Sequence, residues 1–271
     1  MLLSISHRDD LAMATRKRQG RIEQILELLQ RGRTASIQEL SLRLSVSEMT
    51  IRRDLMLLAA QNKVHLVRAG ALLRSESPGG FVGFSLTTDG GVHAEEKMRI
   101  GQKAATLVEP GDVIIVDSGS TTEWLARSLS REASLTVICF ALNILLEVGT
   151  RPKCTVILAG GTLRPDTRVF ESSEAVQLVR RFRAHKAFLS AGGVSEPLGV
   201  TCADPAEAEL KKASIESAQS RILLADSSKL ARVTGSWFAS LSDFDAMVTD
   251  SGISLEFVEI ARSRGIALHV T

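Results

Sequence analysis

The stretch Ser45–Leu58, SVSEMTIRRDLMLL, decides how the amino-terminal third of the chain is read. Ile51, Leu55 and Leu58 recur at helical spacing and predict a helix from about Ser47. Two adjacent arginines, Arg52 and Arg53, stand near its start, where the helix dipole disfavours positive charge. Either they are solvated surface charges, or they face an anion that the chain does not supply. On a helical wheel with Ile51 in the core, Arg53 points nearly opposite, with Thr50 to one side and Arg52 to the other.

The flanking sequence decides between these. Upstream, residues 17–31 (KRQGRIEQILELLQR) place Ile22, Ile25, Leu26 and Leu29 on one helical face, with Gly32 as the stop. SIQEL then starts a second helix, with Ser36 and Glu39 at capping-box spacing and Ile37, Leu40 and Leu44 as its apolar side. Downstream, KVHLVRAGALLR reads as two short strands around a tight turn at Ala69-Gly70. Three short helices and a hairpin make a winged helix-turn-helix. The second helix of such a pair enters the major groove with its amino-terminal residues at the base edges. Phosphates and guanine acceptors are then the missing partners of Arg52 and Arg53.

Charge distribution agrees. The chain has a net charge of only +2, but residues 1–74 hold 13 Lys/Arg against 7 Asp/Glu, and the remainder 20 against 24. A basic amino-terminal segment on a mildly acidic body points to a polyanion partner for the first part. Tyrosine is absent and aromatics are 4%, which argues against single-strand recognition by base stacking. No apolar run reaches membrane-span length, and the first residues lack a signal-peptide layout. Cys139, Cys154 and Cys202 are scattered and odd in number, which suits neither a zinc site nor a disulfide framework; Cys139 and Cys154 fall in apolar strands and are expected in the core. A reducing cytoplasm is the expected setting, with no membrane association.

Residues 75–95 (SESPGGFVGFSLTTDGGVHAE) are rich in Gly and Ser and read as a linker. Beyond them the rhythm changes. DVIIVDSGSTT, LTVICF, CTVILAGG, KAFLSAGG, RILLAD and DAMVTD are apolar runs of strand length, with helical patterns such as TEWLARSL, AEAELKKASIESA and SLEFVEIARSRG between them. Alternating strands and helices imply a mostly parallel, doubly wound α/β sheet covered on both faces. Ligands of such sheets bind beyond the carboxyl ends of the strands, here DSGSTT, AGGT, SAGG and ADSSK.

DSGSTTEWLA puts Ser118, Gly119, Ser120, Thr121 and Thr122 between a strand and a helix start, where free amides and hydroxyls suit a phosphate. Lys229 could add a point charge. A plain Ser/Thr-capped turn is the competing explanation; this is neither a Walker loop nor a dinucleotide fingerprint. An isomerase needs carboxylates placed to move a proton, and LSAGGVS carries none. Asp117, Asp204, Glu207 and Asp226 read as loop caps or ligand acceptors. His93 and His185 are single histidines without a nucleophile or metal partner in view.

RIEQILELLQRGRTASIQELSLRLSVSEMTIRRDLMLLAAQNKVHLVRAGALL resembles the helix-turn-helix of the DeoR/GlpR family of bacterial transcription regulators. DVIIVDSGSTT, VILAGGTLRP, KAFLSAGGVSEPLGVT and ILLADSSKL resemble its sensor domain, in the same order, so the resemblance runs from about Lys17 to Asp250. It implies a sensor domain related in fold to phosphosugar isomerases, and mostly a repressor of sugar or polyol catabolism relieved by a phosphorylated metabolite. By motif, the effector positions would be Asp117 to Thr122, Gly160, Gly161, Thr201, Lys211 and Lys229. Where the family usually has Asn-Ser, this chain has Phe140 and Ala141, so the Phe140 ring would replace a polar contact to ligand. Arg68 stands where the family's wing has histidine.

The expected organisation is a flexible tail (1–16), a winged helix-turn-helix (17–74), a linker (75–95) and a sugar-phosphate sensor and oligomerisation domain (96–271). The DNA-facing set is Ser36, Ser47, Met49, Thr50, Arg52, Arg53 and Arg68; double-stranded operator DNA is the partner, bound by a homodimer or homotetramer. No catalytic residue, metal ligand or cofactor is expected. An isomerase-like enzyme fused to a DNA-binding domain is the alternative, and a second domain that only oligomerises is the third reading.

Overall fold

The computed structural model describes residues 18–29, 34–61, 63–67, 70–73 and 93–271. The expected tail, the stop at Gly32, the turn residue Ala69, the wing residue Arg68 and the linker up to residue 92 lie outside the described residues. The chain divides into two compact units at residues 81/82.

In the first unit, helix α1 (18–29) buries Ile22, Ile25 and Leu29 and half-buries Leu26. Strand β1 (Thr34–Ser36) leads into α2 (Ile37–Leu44), whose start is capped by Ser36: its Oγ accepts from the Glu39 N–H at 3.0 Å. α2 ends in a left-handed residue, Ser45, with φ 50°, and the Ser41 hydroxyl donates to the Val46 carbonyl at 2.6 Å. Those two devices make the tight turn between α2 and α3 (Glu48–Ala60). α3 fully buries Ile51, Leu55 and Leu58 against α1 and α2.

Strands β2 (Val64–Val67) and β3 (Gly70–Leu73) form the expected antiparallel hairpin. β1, which local pattern did not reveal, pairs with the other side of β3. A side chain at residue 70 would run into the Ala35 carbonyl of β1, so this pairing requires glycine. Asp54, 1% exposed on the inner side of α3, accepts from Arg18 Nε at 3.1 Å and Arg21 Nε at 2.6 Å, tying α1 to α3.

The first described helix of the second unit is α4 (Ala94–Ala105), so residues 94 and 95, expected in the linker, are helical. Seven parallel strands follow: β4 (Val113–Val116), β5 (Leu135–Cys139), β6 (Cys154–Leu158), β9 (Ala184–Ser190), β12 (Ala218–Leu224), β14 (Ala246–Thr249) and β15 (Ala267–Val270). Six are those read from the sequence; β15 was not foreseen. Their spatial order is β15-β14-β12-β9-β4-β5-β6. The chain therefore runs outward from β4 to β6, returns to β9 on the other side of β4, and runs outward again. The order reverses between β4 and β9.

Alternate strand residues feed two cores. Ile114, Val116, Val137, Cys139, Phe188, Ile222 and Val248 pack with α4, α5 (Ser120–Ser128) and α6 (Leu142–Val148). Ile115, Ile138, Leu189, Leu223 and Met247 pack with α7 (Ser173–Arg180), α8 (Pro205–Ser217) and α9 (Leu255–Ser263) on the opposite face. Cys154, expected in the core with Cys139, is only half-buried because β6 is the edge strand. A hairpin, β7 (Thr162–Leu163) with β8 (Phe170–Glu171), and a small antiparallel sheet of β10 (Gly193–Ser195), β11 (Gly199–Cys202) and β13 (Ser236–Ala239) decorate the main sheet. Among the described residues no helix is long and apolar enough to cross a membrane.

Asp54→Ala removes both charged hydrogen bonds between α1 and α3. The expected cost is about 1.5–3 kcal/mol of local stability, read as faster amide hydrogen exchange in both helices; unchanged protection would show that the fork contributes nothing.

Candidate functional site

The strand-order reversal between β4 and β9 is where open α/β sheets form a crevice at their carboxyl edge. The residues there come from three places: Asp117, Ser118 and Gly119 after β4, Ser190 to Gly192 after β9, and Glu207 and Lys211 from α8. All of these except the fully buried Asp117, together with Cys202 and Ala203, line a cavity of about 30 Å³, room for a single water.

Lys211 is fully buried, as is Asp117, and the two form an ion pair. The ammonium also donates to the Ser190 carbonyl at 3.0 Å and lies 3.0 Å from Glu207 Oε1. Asp117 Oδ2 accepts from the Ser190 backbone N–H at 2.8 Å and its hydroxyl at 2.9 Å. Ser118 Oγ donates to Glu207 Oε1 at 3.1 Å.

Burial opposes the charge on Lys211, but Asp117 and Glu207 more than offset it, so its pKa is raised and it stays an ammonium. Glu207 is also pushed up: burial is the largest cause and, with the repulsion of Asp117, outweighs the attraction of Lys211 and the hydrogen bonds from Lys211 and Ser118. One cation cannot neutralise two buried carboxylates. Asp117 and Glu207, read from the sequence as caps or ligand acceptors, therefore hold Lys211 between them; Asp204 and Asp226 do cap, accepting from the N–H groups of Ala206 at 2.7 Å and Ser228 at 3.0 Å.

The loop that follows β4 is set by Gly119, which has φ +133° and where an added Cβ would lie 2.7 Å from Ser190 Oγ. Ser118, Ser120, Thr121 and Thr122 are all buried at the start of α5. Thr122 Oγ1 donates to the Gly119 carbonyl at 3.0 Å, a carbonyl that also accepts from Asn143 Nδ2 at 3.2 Å. The hydroxyls of Ser120 and Thr121 have no protein partner among the described residues, and the first amides of a helix have none within it.

The remaining expected effector residues are more dispersed. The Phe140 ring is fully buried in the core beneath α7 to α9, because the alternation that continues from β5 carries it into that face. Thr201 is 1% exposed and its hydroxyl serves the small sheet, donating to the Gly193 carbonyl at 3.2 Å and accepting from the Thr234 N–H at 2.9 Å. Gly160 and Gly161 turn the chain from β6 into the β7–β8 hairpin. Lys229 is half-buried in a 3-10 turn beyond β12. β6 and β12 each lie two strands from β4, about 10 Å away on opposite sides. These residues share one edge but cannot all meet one phosphate. Ser190 entered the sequence reading only as part of the SAGG strand end and was not singled out as a site residue.

In the first unit, Ser36 is 6% exposed and engaged as a cap, and Ser47 caps α3, accepting from the Thr50 N–H at 3.2 Å. Thr50 is half-buried, its hydroxyl 2.9 Å from that of Ser47. Arg53 and Arg52 are exposed, with Arg52 4.0 Å from Glu48. Met49 is 58% exposed. Among the described residues no group of three His, Cys, Asp or Glu could hold a metal ion.

A family model described as the DeoR C terminal sensor domain matches residues 92–251, and one described as the DeoR-like helix-turn-helix domain matches residues 21–77. The deoxyribose operon repressor of Escherichia coli strain K12 is 33% identical over 252 residues, covering 93% of this chain and 98% of that protein. The HTH-type transcriptional repressor GlcR of Bacillus subtilis strain 168 is 29% identical over 253 residues, 93% of this chain and 95% of its own length. Among solved structures, ribose 5-phosphate isomerase A of Methanocaldococcus jannaschii overlaps with a TM-score of 0.39 at 19% identity, covering 51% of this chain and 54% of that one.

Lys211→Met leaves two buried carboxylates uncompensated and is expected to cost about 3–5 kcal/mol, measured by denaturant unfolding. Glu207 binds its proton more tightly in the folded chain than in the unfolded one, so its contribution is greatest at low pH. That contribution declines as pH rises from the usual glutamate range through the raised value. Glu207→Gln cannot ionise and should lose this decline; parallel stability–pH curves for the two proteins would contradict the assignment.

Proposed function

The chain belongs to the DeoR family of helix-turn-helix transcriptional regulators, and on that footing we propose that it represses genes of carbohydrate catabolism until a phosphorylated sugar or polyol binds its carboxy-terminal domain. The observation that carries the effector half is the Ser118–Thr122 loop. Buried hydroxyls and the amino-terminal amides of α5 sit at the sheet's reversal point, with two of those hydroxyls lacking a partner among the described residues. A phosphate suits such a helix start. Lys211 is committed to Asp117 and Glu207, so the amides and hydroxyls are the anion's partners. The crevice is small, and the rest of the ligand lies outside it along the strand ends, toward Lys229 on one side or Gly160 and Gly161 on the other.

Support for the DNA half is the split character of α3: one side fully buried, the other carrying Arg52 and Arg53 into solvent. A single winged helix buries little surface, and operators read by such helices usually repeat their half-site, so a homodimer or homotetramer is the working species. The cytoplasm is the compartment that fits. The mutual pairing of Asp117, Glu207 and Lys211 leaves none of them unattached to move a substrate proton, which favours a regulator over an isomerase-like enzyme.

One titration tests both halves, using a duplex recovered from a random pool by the protein itself and a panel of sugar phosphates screened by thermal shift. Arg53→Ala should weaken specific binding by about 1–3 kcal/mol at fixed salt. If it binds as tightly as the parent, the helix is misassigned.

Thr121→Ala should bind the duplex normally but respond weakly to the sugar phosphate that shifts the parent, where coupling of ~1–3 kcal/mol changes affinity by roughly 5–150-fold. Loss of duplex binding by folded Thr121→Ala without effector would overturn that division of labour. Light scattering of the parent reads the assembly, and a monomer with full affinity counts against it.

A further inference from the structure

The outward side of α3 holds more than arginine. Residues 49, 53 and 56 are spaced so that their side chains share one helical face, opposite Ile51, Leu55 and Leu58. Met49 is 58% exposed and Met56 is 63% exposed. The helix already fills its core with the three buried residues, so packing within this unit gives no reason for two long apolar side chains in water.

Arg53 lies between them with no carboxylate partner among the described residues, and Arg52 is beside it, only loosely associated with Glu48 at 4.0 Å. The nearby acid, Asp54, faces inward and is bonded to Arg18 and Arg21. This face therefore offers positive charge flanked by polarisable, flexible apolar tips. A matching surface must present acceptors in the middle and small apolar groups on either side.

The major groove presents that combination. Guanine supplies acceptors at N7 and O6, and the one apolar group on the base edges is the C5-methyl of thymine. Seven residues of helix span about 10.5 Å, close to three base steps of about 3.4 Å. We propose that Met49 and Met56 read thymine methyl groups about three base steps apart, on either side of the base contacted by Arg53. The inference rests on the DNA-binding half of the proposed function and adds to it a base preference and a residue, Met56, that reads it.

The probe is the duplex selected from a random pool by the full-length protein. Each thymine is replaced in turn by deoxyuridine, which removes the methyl and leaves every hydrogen-bonding group in place. Affinity is measured at one salt concentration. Two positions, about three steps apart, should each lose about fourfold, the equivalent of one buried methyl group, while the other thymines remain neutral.

Met56→Ala should bind more weakly, lose its sensitivity to deoxyuridine at one of those positions and keep it at the other; Met49→Ala should show the reverse. Both side chains are exposed, so thermal unfolding should match the parent. Neutral deoxyuridine at every position, or variants that keep the parent's full sensitivity at both positions, overturns the inference while leaving DNA binding intact. A pool from which no duplex is recovered overturns the DNA-binding assignment itself, and this one with it.

Discussion

Lys211 carries a full positive charge on a fully buried side chain, and the second unit is arranged around that fact. An isolated buried ammonium is prohibitively costly, so it must be met by fixed acceptors. Asp117 comes from the end of β4, the Ser190 carbonyl from the end of β9, and Glu207 from one turn earlier on α8. One side chain thereby pins the two strands between which the order reverses to the helix that covers them. Such a triad is weak evidence of net stability, since a well-packed apolar replacement can do as well. Its consequence is geometric: with Asp117 held, Ser118 and Gly119 have little choice of path, and α5 must start where it does.

The same triad determines which partners an anion can find at this edge. Lys211 has two carboxylates of its own, and Glu207 is ionised only against burial and Asp117. On the function proposed above, positive potential for a ligand would come instead from the dipole and amides at the start of α5, together with Lys229 about two strands away. The hydroxyls along the loop are short, so they can turn toward either the protein or a ligand without a large entropic cost. Asn143 illustrates the protein's own use of this region, its amide gripping the Gly119 carbonyl at 3.2 Å and Glu123 at 3.0 Å.

In the first unit the organising constraint is different. Among the described residues eleven buried apolar side chains make up the core, and α3 contributes Ile51, Leu55 and Leu58 from one side. A core of that size needs help at its margins. Asp54 with Arg18 and Arg21 supplies it on the inner side of α3, and the pairing of β1 with β3 supplies it beneath the hairpin. Asp54 is turned inward, and Ser36 and Ser47 are engaged as helix caps.

Period and punctuation made much of this legible in advance. The 3.6-residue rhythm of Ile51, Leu55 and Leu58, the cap spacing of Ser36 and Glu39, and the alternation of apolar runs with helices are local consequences of side-chain direction. They identified the helix-turn-helix, six of the seven parallel strands and the loop at Ser118–Thr122. Even the Glu207–Lys211 contact could be read as an i, i+4 pair.

What the sequence could not decide depended on which segments become neighbours. β1 is three residues long and exists because β3 offers it a ladder across Gly70. Phe140 went into the core because strand alternation at the end of β5 points it there, whatever residue type a relative has at that place. Above all, that Lys211 would be consumed by Asp117, and that Ser190 would join them, followed from strand order and from the packing of α8 against those strands. Placing β9 beside β4 brings residues 73 and 94 positions apart in the chain into hydrogen-bonding distance, and no periodicity encodes that.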